Sequence, residues 1–218
     1  LEFSEQLLQK YDQTGPRYTS YPTAVQFVPT FDAKKYQSVA LNTSAENPEQ
    51  PLSLYFHIPF CDTICYYCGC SKIVTRNYSL AIPYLEYLEK EIKLQAPLFA
   101  NRKVTQLHWG GGTPTFLDNQ QMTDLMQMAR NSFDLDDSDS REFSIEIDPR
   151  SVDKDKIGLL AKIGFNRLSM GIQDFDPDVQ KAVNRIQSKE DTLEVIQHAR
   201  EVGFDSISVD LIYGLPKQ

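Results

Sequence analysis

The sequence predicts an α/β fold in which parallel strands are joined by crossover helices and curl into an open barrel. Three observations carry this. Beyond about residue 50, strand-like and helix-like segments alternate five times, the pattern of successive βαβ units. Each strand alternates apolar with polar residues, although a strand buried between helices and core should be apolar nearly throughout. The two most unusual segments, a cysteine cluster and a triple glycine, each directly follow a predicted strand and so share one edge of the sheet.

Residues 1–50 read as an N-terminal arm and residues 51–218 as the barrel. Within the arm, TGPRYTSYPT places Arg17 between Tyr18 and Tyr21, too polar and turn-rich for a core element. Surface decoration and an anion contact on a flap over the site are both open to Arg17. The first strand, LSLYFHIP (52–59), sets Leu52, Leu54, Phe56 and Ile58 on one side and Ser53, Tyr55 and His57 on the other. A helix near 79–95 leads to the second strand, TQLHWG (105–110), and a helix near 118–132 to the third, EFSIEID (142–148). There Phe143, Ile145 and Ile147 oppose Ser144, Glu146 and Asp148. After a helix near 153–163, RLSMGIQ (167–173) opposes Leu168, Met170 and Ile172 to Ser169, Gly171 and Gln173. The last helix, near 189–202, opens on Ser188 with Glu190 and Asp191 at the positive end of its dipole and stops at Gly203. The fifth strand, SISVDLIYG (206–214), sets Ile207, Val209 and Leu211 against Ser208 and Asp210.

With the apolar sets facing the helices, Tyr55, His57, Glu146, Gln173 and Asp210 project into one shared interior, which must hold water or a polar ligand. A closed eight-stranded barrel fills its interior with apolar layers, so a polar lumen argues for an open or wider partial barrel. The active site then lies inside it, at the C-terminal edge of the strands.

Composition narrows the function. At 218 residues, 41% hydrophobic and 24% charged, the chain can bury a real core. No apolar run of 18 residues and no basic-then-apolar N-terminus are present, so a cytoplasmic, reducing setting is expected and a membrane partner is not. The net charge of −8 argues against nucleic-acid binding. A monomer is expected. The acidic run from Asp134 to Glu142 reads as a solvated loop, and the chain, which opens without Met and stops just after a strand, reads as a piece of something longer.

All four cysteines, Cys61, Cys65, Cys68 and Cys70, fall in HIPFCDTICYYCGC. Thiolates spaced CxxxCxxC can each take one corner of a four-iron cube and leave the fourth iron open to a ligand. A disulfide set is disfavoured in a long chain with no cysteine elsewhere, and a zinc knob using all four thiols is a second reading. Gly110, Gly111 and Gly112, followed by Thr113, strip Cβ atoms from a strand end, which makes either a tight turn or a place where a charged ligand reaches the backbone. Glu146 and Asp210 need a cation or hydroxyl partner, either a structural pair with Arg167 or Arg185 or a ligand. His57 could be a ligand, a substrate contact or a wall residue. Tyr66 and Tyr67, between the cysteines, could stack on an aromatic ligand, shield the cluster or simply fill space.

These segments together resemble the radical S-adenosylmethionine (SAM) enzymes, whose CxxxCxxC loop follows the first strand of a partial (β/α)6 barrel. GPRYTSYPT, LYFHIPFCDTICYYCGC, LHWGGGTPT, IEIDPR, FNRLSMGIQDF and DLIYGLPKQ are most similar to the bacterial oxygen-independent coproporphyrinogen III oxidase family. That family commonly has Phe where Tyr67 stands, an exchange that keeps the ring. The resemblance implies about five of the six βα units here, with the sixth and a C-terminal domain beyond Gln218, and poor turnover by these residues alone. It implies a [4Fe–4S] cluster on Cys61, Cys65 and Cys68, with SAM on the open iron and contacted by Tyr55, Gly111 and Glu146. A second SAM-like site would involve Tyr67, Gly112, Thr113, Gln173, Arg185 and Asp210. Arg17 would meet substrate carboxylates, and the arm would lie over the site. Cys70 matches the family's extra cysteine and, with His57, is a candidate for a catalytic role. The implied reaction converts two propionates of coproporphyrinogen III to vinyl groups through a 5′-deoxyadenosyl radical in anaerobic haem biosynthesis, with an unidentified electron donor and acceptor. A radical-SAM-like haem chaperone is the alternative, and a zinc-stabilised interaction module a more distant one.

Overall fold

Polar and turn-forming residues dominate the chain before residue 50, and the helices there rest on local capping. The computed structural model of the protein describes residues 4–12, 22–100 and 102–218, and the chain divides into two units, residues 1–40 and 41–218. In the first unit, α1 (Glu5–Tyr11) starts at Ser4, whose hydroxyl accepts from the Leu7 N–H, and it buries none of its residues. A second helix, α2 (Ala33–Glu46), begins where Asp32 Oδ1 accepts from Lys35 N at 2.9 Å, satisfying one of the free N–H groups of a helix start. Neither helix is expected from the arm's composition; Ser4 and Asp32 are the signals that announce them. Arg17, with Tyr18 and Tyr21, lies outside the described residues.

The second unit is built on the predicted parallel sheet. Its strands are β1 (Leu52–Ile58), β4 (Lys103–Gly111), β6 (Glu142–Ile147), β7 (Arg167–Gln173) and β8 (Ser206–Leu211), hydrogen-bonded in that order, all parallel. Two short pairs complete it. β2 (Phe60–Cys61) pairs with β3 (Ile73–Val74), and β5 (Asp134–Leu135) lies beside the start of β4. The connecting helices are α3 (Ala81–Gln95), α4 (Asn119–Ser132), α5 (Lys154–Ile163), α6 (Pro177–Ala182) and α7 (Lys189–Glu201). α4 carries a capping box in which Asp118 and Gln121 satisfy each other's backbone N–H. Asp153 caps α5 and Ser188 caps α7, and Gly164 ends α5 at φ 118°, a conformation glycine adopts without Cβ strain. α6 is absent from the predicted elements, although Asp176 followed by Pro177 is a legible helix start.

The outer face of the sheet is the core. Phe56, Ile58, Leu107, Trp109, Phe143, Ile145, Leu168 and Met170 are buried under the helices. Each such side chain contributes about 1.5–3 kcal/mol on leaving water. Trp109 anchors the centre, edge-on to Phe165 at 5.0 Å and tilted against Phe56. The expectation fails at the last strand: Val209 and Leu211 are 42% and 67% exposed, because among the described residues nothing packs over that side of β8 at these positions. β8 also ends at Leu211, short of the predicted 214. The acidic run is likewise more than a solvated loop. Asp134 and Leu135 form β5, and Asp136 is buried, with its carboxylate accepting from Ser138 Oγ at 2.7 Å.

The inner face carries polar rungs set by register. Tyr55 stands opposite His108, His108 opposite Ser144, Ser144 opposite Arg167 and Arg167 opposite Ser206. One rung further along, Glu146 stands opposite Ser169 and Ser169 opposite Ser208. These layers lead up to the C-terminal edge of the strands.

Candidate active site

The cysteine loop is held at both ends and in its middle. Its ends are the paired strands β2 and β3, tied by Ile73 N donating to Pro59 O at 2.7 Å and Thr75 N to Cys61 O at 2.8 Å. In between, Tyr66 N donates to Val183 O at 3.0 Å, and Asn184 Nδ2 donates to Ile64 O at 2.7 Å. Asn184 has φ 55°, the left-handed region that Asn tolerates better than most side chains. All four cysteines are free thiols, and Lys72 Nζ donates to the Cys68 carbonyl at 2.9 Å.

The triple glycine is a tight turn and a close approach at once. Gly112 N donates to Ile58 O at 2.8 Å and Thr113 N to Phe60 O at 2.7 Å, which pins the turn against the root of the cysteine loop. A Cβ on Gly112 would sit 2.6 Å from Phe60 O, and one on Gly111, whose φ is 116°, would meet the His57 ring at 2.7 Å. Thr113 Oγ1 lies 3.6 Å from Cys61 Sγ. Burial pushes the Cys61 thiol up, with the Thr113 hydroxyl opposing.

Two polar clusters flank this turn. Glu146 Oε1 pairs with His108 Nε2 at 3.3 Å and Oε2 accepts from Gly111 N at 3.1 Å. Burial opposes ionisation of Glu146, but these bonds and the nearby imidazoles outweigh it and hold the carboxyl below its usual range. Because a carboxylate only accepts, Nε2 of His108 carries the proton toward Glu146, while Nδ1 meets Ser144 Oγ. His57 is held in the same way: Nε2 donates to the Ser71 carbonyl at 2.8 Å, and Nδ1 meets Tyr55 Oη at 3.0 Å. The Tyr55 ring stacks on His108 at 5.7 Å.

The second cluster centres on Asp148. Its carboxylate accepts from Arg150 Nε at 2.9 Å and Nη2 at 2.6 Å and from Arg185 Nη1 at 3.2 Å. Burial disfavours the charged form, and the two guanidiniums overcome this to lower the Asp148 pKa. Arg185 is further fixed by Nη2 and Nε on the Gly171 carbonyl at 2.6 and 3.1 Å. Both arginines reach Cys65 Sγ, Arg185 Nη1 at 3.5 Å and Arg150 Nη2 at 3.9 Å.

Loop, turn and clusters enclose one cavity of about 420 Å³ at the C-terminal edge of the sheet. It is lined by every predicted cluster and cofactor residue except Tyr55, and by Cys70; Tyr55 and His57 stand behind the wall through the contacts above. Neither Glu146 nor Asp210 pairs with Arg167 or Arg185, which bind Glu142 and Asp148 instead. Asp210 is exposed to the cavity without a hydrogen bond or ion pair among the described residues. Gln173, at φ 69°, has its Oε1 buried and unpartnered, an acceptor in want of a donor. His108, Asp148 and Arg150 are site residues the sequence leaves without a role. Strand alternation points His108 inward, and only the structure shows that Arg150, just past a strand end, turns back onto the cysteine loop.

The donor set fits an iron–sulfur cube. Cys61, Cys65 and Cys68, at separate positions of the loop, all open onto the one cavity. A cube takes each thiolate on a different corner, and the cationic N–H donors on Cys65 suit a thiolate.

Residues 55–218 match the radical SAM superfamily. The chain is 53% identical to the oxygen-independent coproporphyrinogen III oxidase of Escherichia coli over 97% of its own length and 45% of that protein. It is 49% identical to that of Pseudomonas aeruginosa over its whole length and 47% of that protein. It thus spans about half the length of these curated relatives. The solved structure of coproporphyrinogen III oxidase from Escherichia coli, described as a radical SAM enzyme, matches with a TM-score of 0.87 at 51% identity, over 98% of this chain and 46% of that one. The radical SAM methyltransferase TsrM of Kitasatospora setae shares the fold alone, with a TM-score of 0.51 at 13% identity over 80% of this chain and 33% of that one. The chain therefore belongs to the radical SAM superfamily, in the branch whose curated members are called oxygen-independent coproporphyrinogen III oxidase.

Proposed function

We propose that Cys61, Cys65 and Cys68 carry a [4Fe–4S] cluster, that SAM binds in the adjoining cavity, and that the site serves the oxidative decarboxylation of coproporphyrinogen III propionates to vinyl groups. The observation that carries this reading is the single cavity in which three loop thiols meet the glycine turn, Glu146, Gln173, Arg185 and Asp210. Bound there, the cluster and SAM would supply the radical chemistry that removes a hydrogen atom from the substrate. The chain's own residues hold and orient. Glu146, kept ionised by His108 and the Gly111 N–H, accepts from an ammonium or a ribose hydroxyl. Thr113 stands over Cys61, and Asp210 and Gln173 offer acceptors to a second ligand. Arg185 is fixed in place to meet a carboxylate. Arg17 would meet the substrate's carboxylates. An electron donor and an electron acceptor are required partners.

Anaerobic reconstitution with iron and sulfide tests this. We expect close to four irons and four sulfides per chain, and an electron paramagnetic resonance signal of the reduced cluster that shifts on adding SAM. A reduced cluster blind to SAM would overturn the open-iron reading.

A further inference from the structure

Among the described residues, Cys65 alone of the three thiols assigned to the cluster receives cationic donors. Arg185 and Arg150 both direct a guanidinium N–H at its sulfur, at 3.5 and 3.9 Å. They share one carboxylate: Asp148 binds Arg150 through Nε, Nη2 and the Arg150 backbone N–H, and binds Arg185 through Nη1. Two guanidiniums on one carboxylate leave one positive charge uncompensated beside Cys65. The group is sheltered, with side-chain exposures of 26% for Arg150, 13% for Asp148 and 9% for Arg185, so solvent screens that charge only in part. The clamp also fixes geometry, since a planar guanidinium held on a carboxylate cannot swing away from the sulfur.

We infer that Arg150 is a positioning residue that raises the electron affinity of the cluster by donating to Cys65 Sγ while Asp148 holds it in place; this rests on the cluster reading above. Reduction adds one electron from a one-electron donor, makes and breaks no bond, and puts more negative charge on the thiolates. A cationic N–H donor on a ligand sulfur favours that reduced form. Removing Arg150 leaves Asp148 and Arg185 to neutralise each other, and the uncompensated charge beside Cys65 disappears. Arg185 is less suited to the test because it also holds the Gly171 carbonyl and is placed on a ligand carboxylate by the proposed function, so its loss would mix several effects.

The experiment is a redox titration of the reconstituted cluster, followed by electron paramagnetic resonance with dithionite as donor, in the 218-residue chain and its Arg150→Gln and Arg150→Lys variants. In Arg150→Gln we expect the ratio of reduced to oxidised cluster at fixed potential to fall at least tenfold, a midpoint lower by about 59 mV or more for one electron. Arg150→Lys, which keeps the charge without the fork, should recover part of the shift. Iron and sulfide content should be unchanged in both. An unchanged midpoint in a variant with full iron content overturns the inference and leaves the cluster reading standing. A parent chain that assembles no cluster overturns the cluster reading, and the inference with it. If Arg150→Gln assembles poorly, Arg150→Met, which keeps length without charge, is titrated in its place: a midpoint equal to that of the parent, together with equal SAM-induced spectral change, assigns Arg150 a merely structural role.

Discussion

Replacing Gly112 by alanine tests how tightly the glycine turn and the cysteine loop are bound to one another. The added Cβ would lie 2.6 Å from Phe60 O, 2.7 Å from Pro59 O and 2.8 Å from Pro59 C. All three are backbone atoms, so no side chain can rotate to make room. Residues 59 and 60 are held by hydrogen bonds from Thr113 N and Ile73 N at 2.7 Å each, and Gly112 N itself donates to Ile58 O at 2.8 Å. Overpacking of this kind costs about 1–3 kcal/mol. Giving up two of the backbone bonds adds about 2 kcal/mol, for a total of about 3–5 kcal/mol. In a chain of this size that corresponds to a melting point lower by about 6–20 °C. The assay is denaturant and thermal unfolding of the metal-free chain, with Gly69→Ala as control. Gly69 lies between two cysteines, but nothing stands within 4 Å of its Cβ position, so its change should stay within about 0.5 kcal/mol. A Gly112→Ala chain that loses less than about 1 kcal/mol at an unchanged denaturant slope would refute the interlock.

Gly158, inside α5, also has open space around its Cβ position, and Gly158→Ala should stabilise the metal-free chain by about 0.5–1 kcal/mol in urea unfolding. Asp148 has a folded pKa below its ordinary 3.8. Its contribution is therefore complete at pH values above that ordinary value and is lost as pH falls through the folded pKa. Stability measured between pH 7 and pH 2.5 should fall on acidification, and the fall should be shallower in Asp148→Asn. Asp118→Ala removes the carboxylate of the α4 capping box and should cost about 1 kcal/mol in the same assay.

Much of the fold is legible because strands and helices obey different periods. The alternation in Phe143–Ile147 and Leu168–Ile172 states which side is core, and the polar partners of those residues state that the other side faces a chamber. Parallel order follows from the intervening helices. The missed elements have local causes: α1, α2 and α6 are short or weakly apolar and are announced by single capping residues rather than by a periodic face. The misplaced cover on Val209 and Leu211 arises because alternation reports which residues share a side, not whether anything packs there. In the site, the thiols, glycines and inward acids could be named from position along strands. The Asp148–Arg150–Arg185 group could not, because Arg150 follows a strand and Arg185 follows a helix, and neither position dictates where a long side chain turns. Sequence offers Glu146 a ligand or an arginine as partner; its bond to His108 comes from register, which sequence alone does not supply.

The double anchoring of the cysteine loop bears on how a cofactor would be gained and lost. Closing a flexible segment and ordering its side chains costs conformational entropy, and here the paired strands at its ends and the Tyr66 and Asn184 bonds in its middle meet that cost during folding. A socket formed in advance lets inorganic parts bind without refolding the chain, and it survives their departure. Oxidative loss of iron would then leave a protein ready for refilling rather than one committed to unfolding, so damage and repair would cycle on one folded molecule.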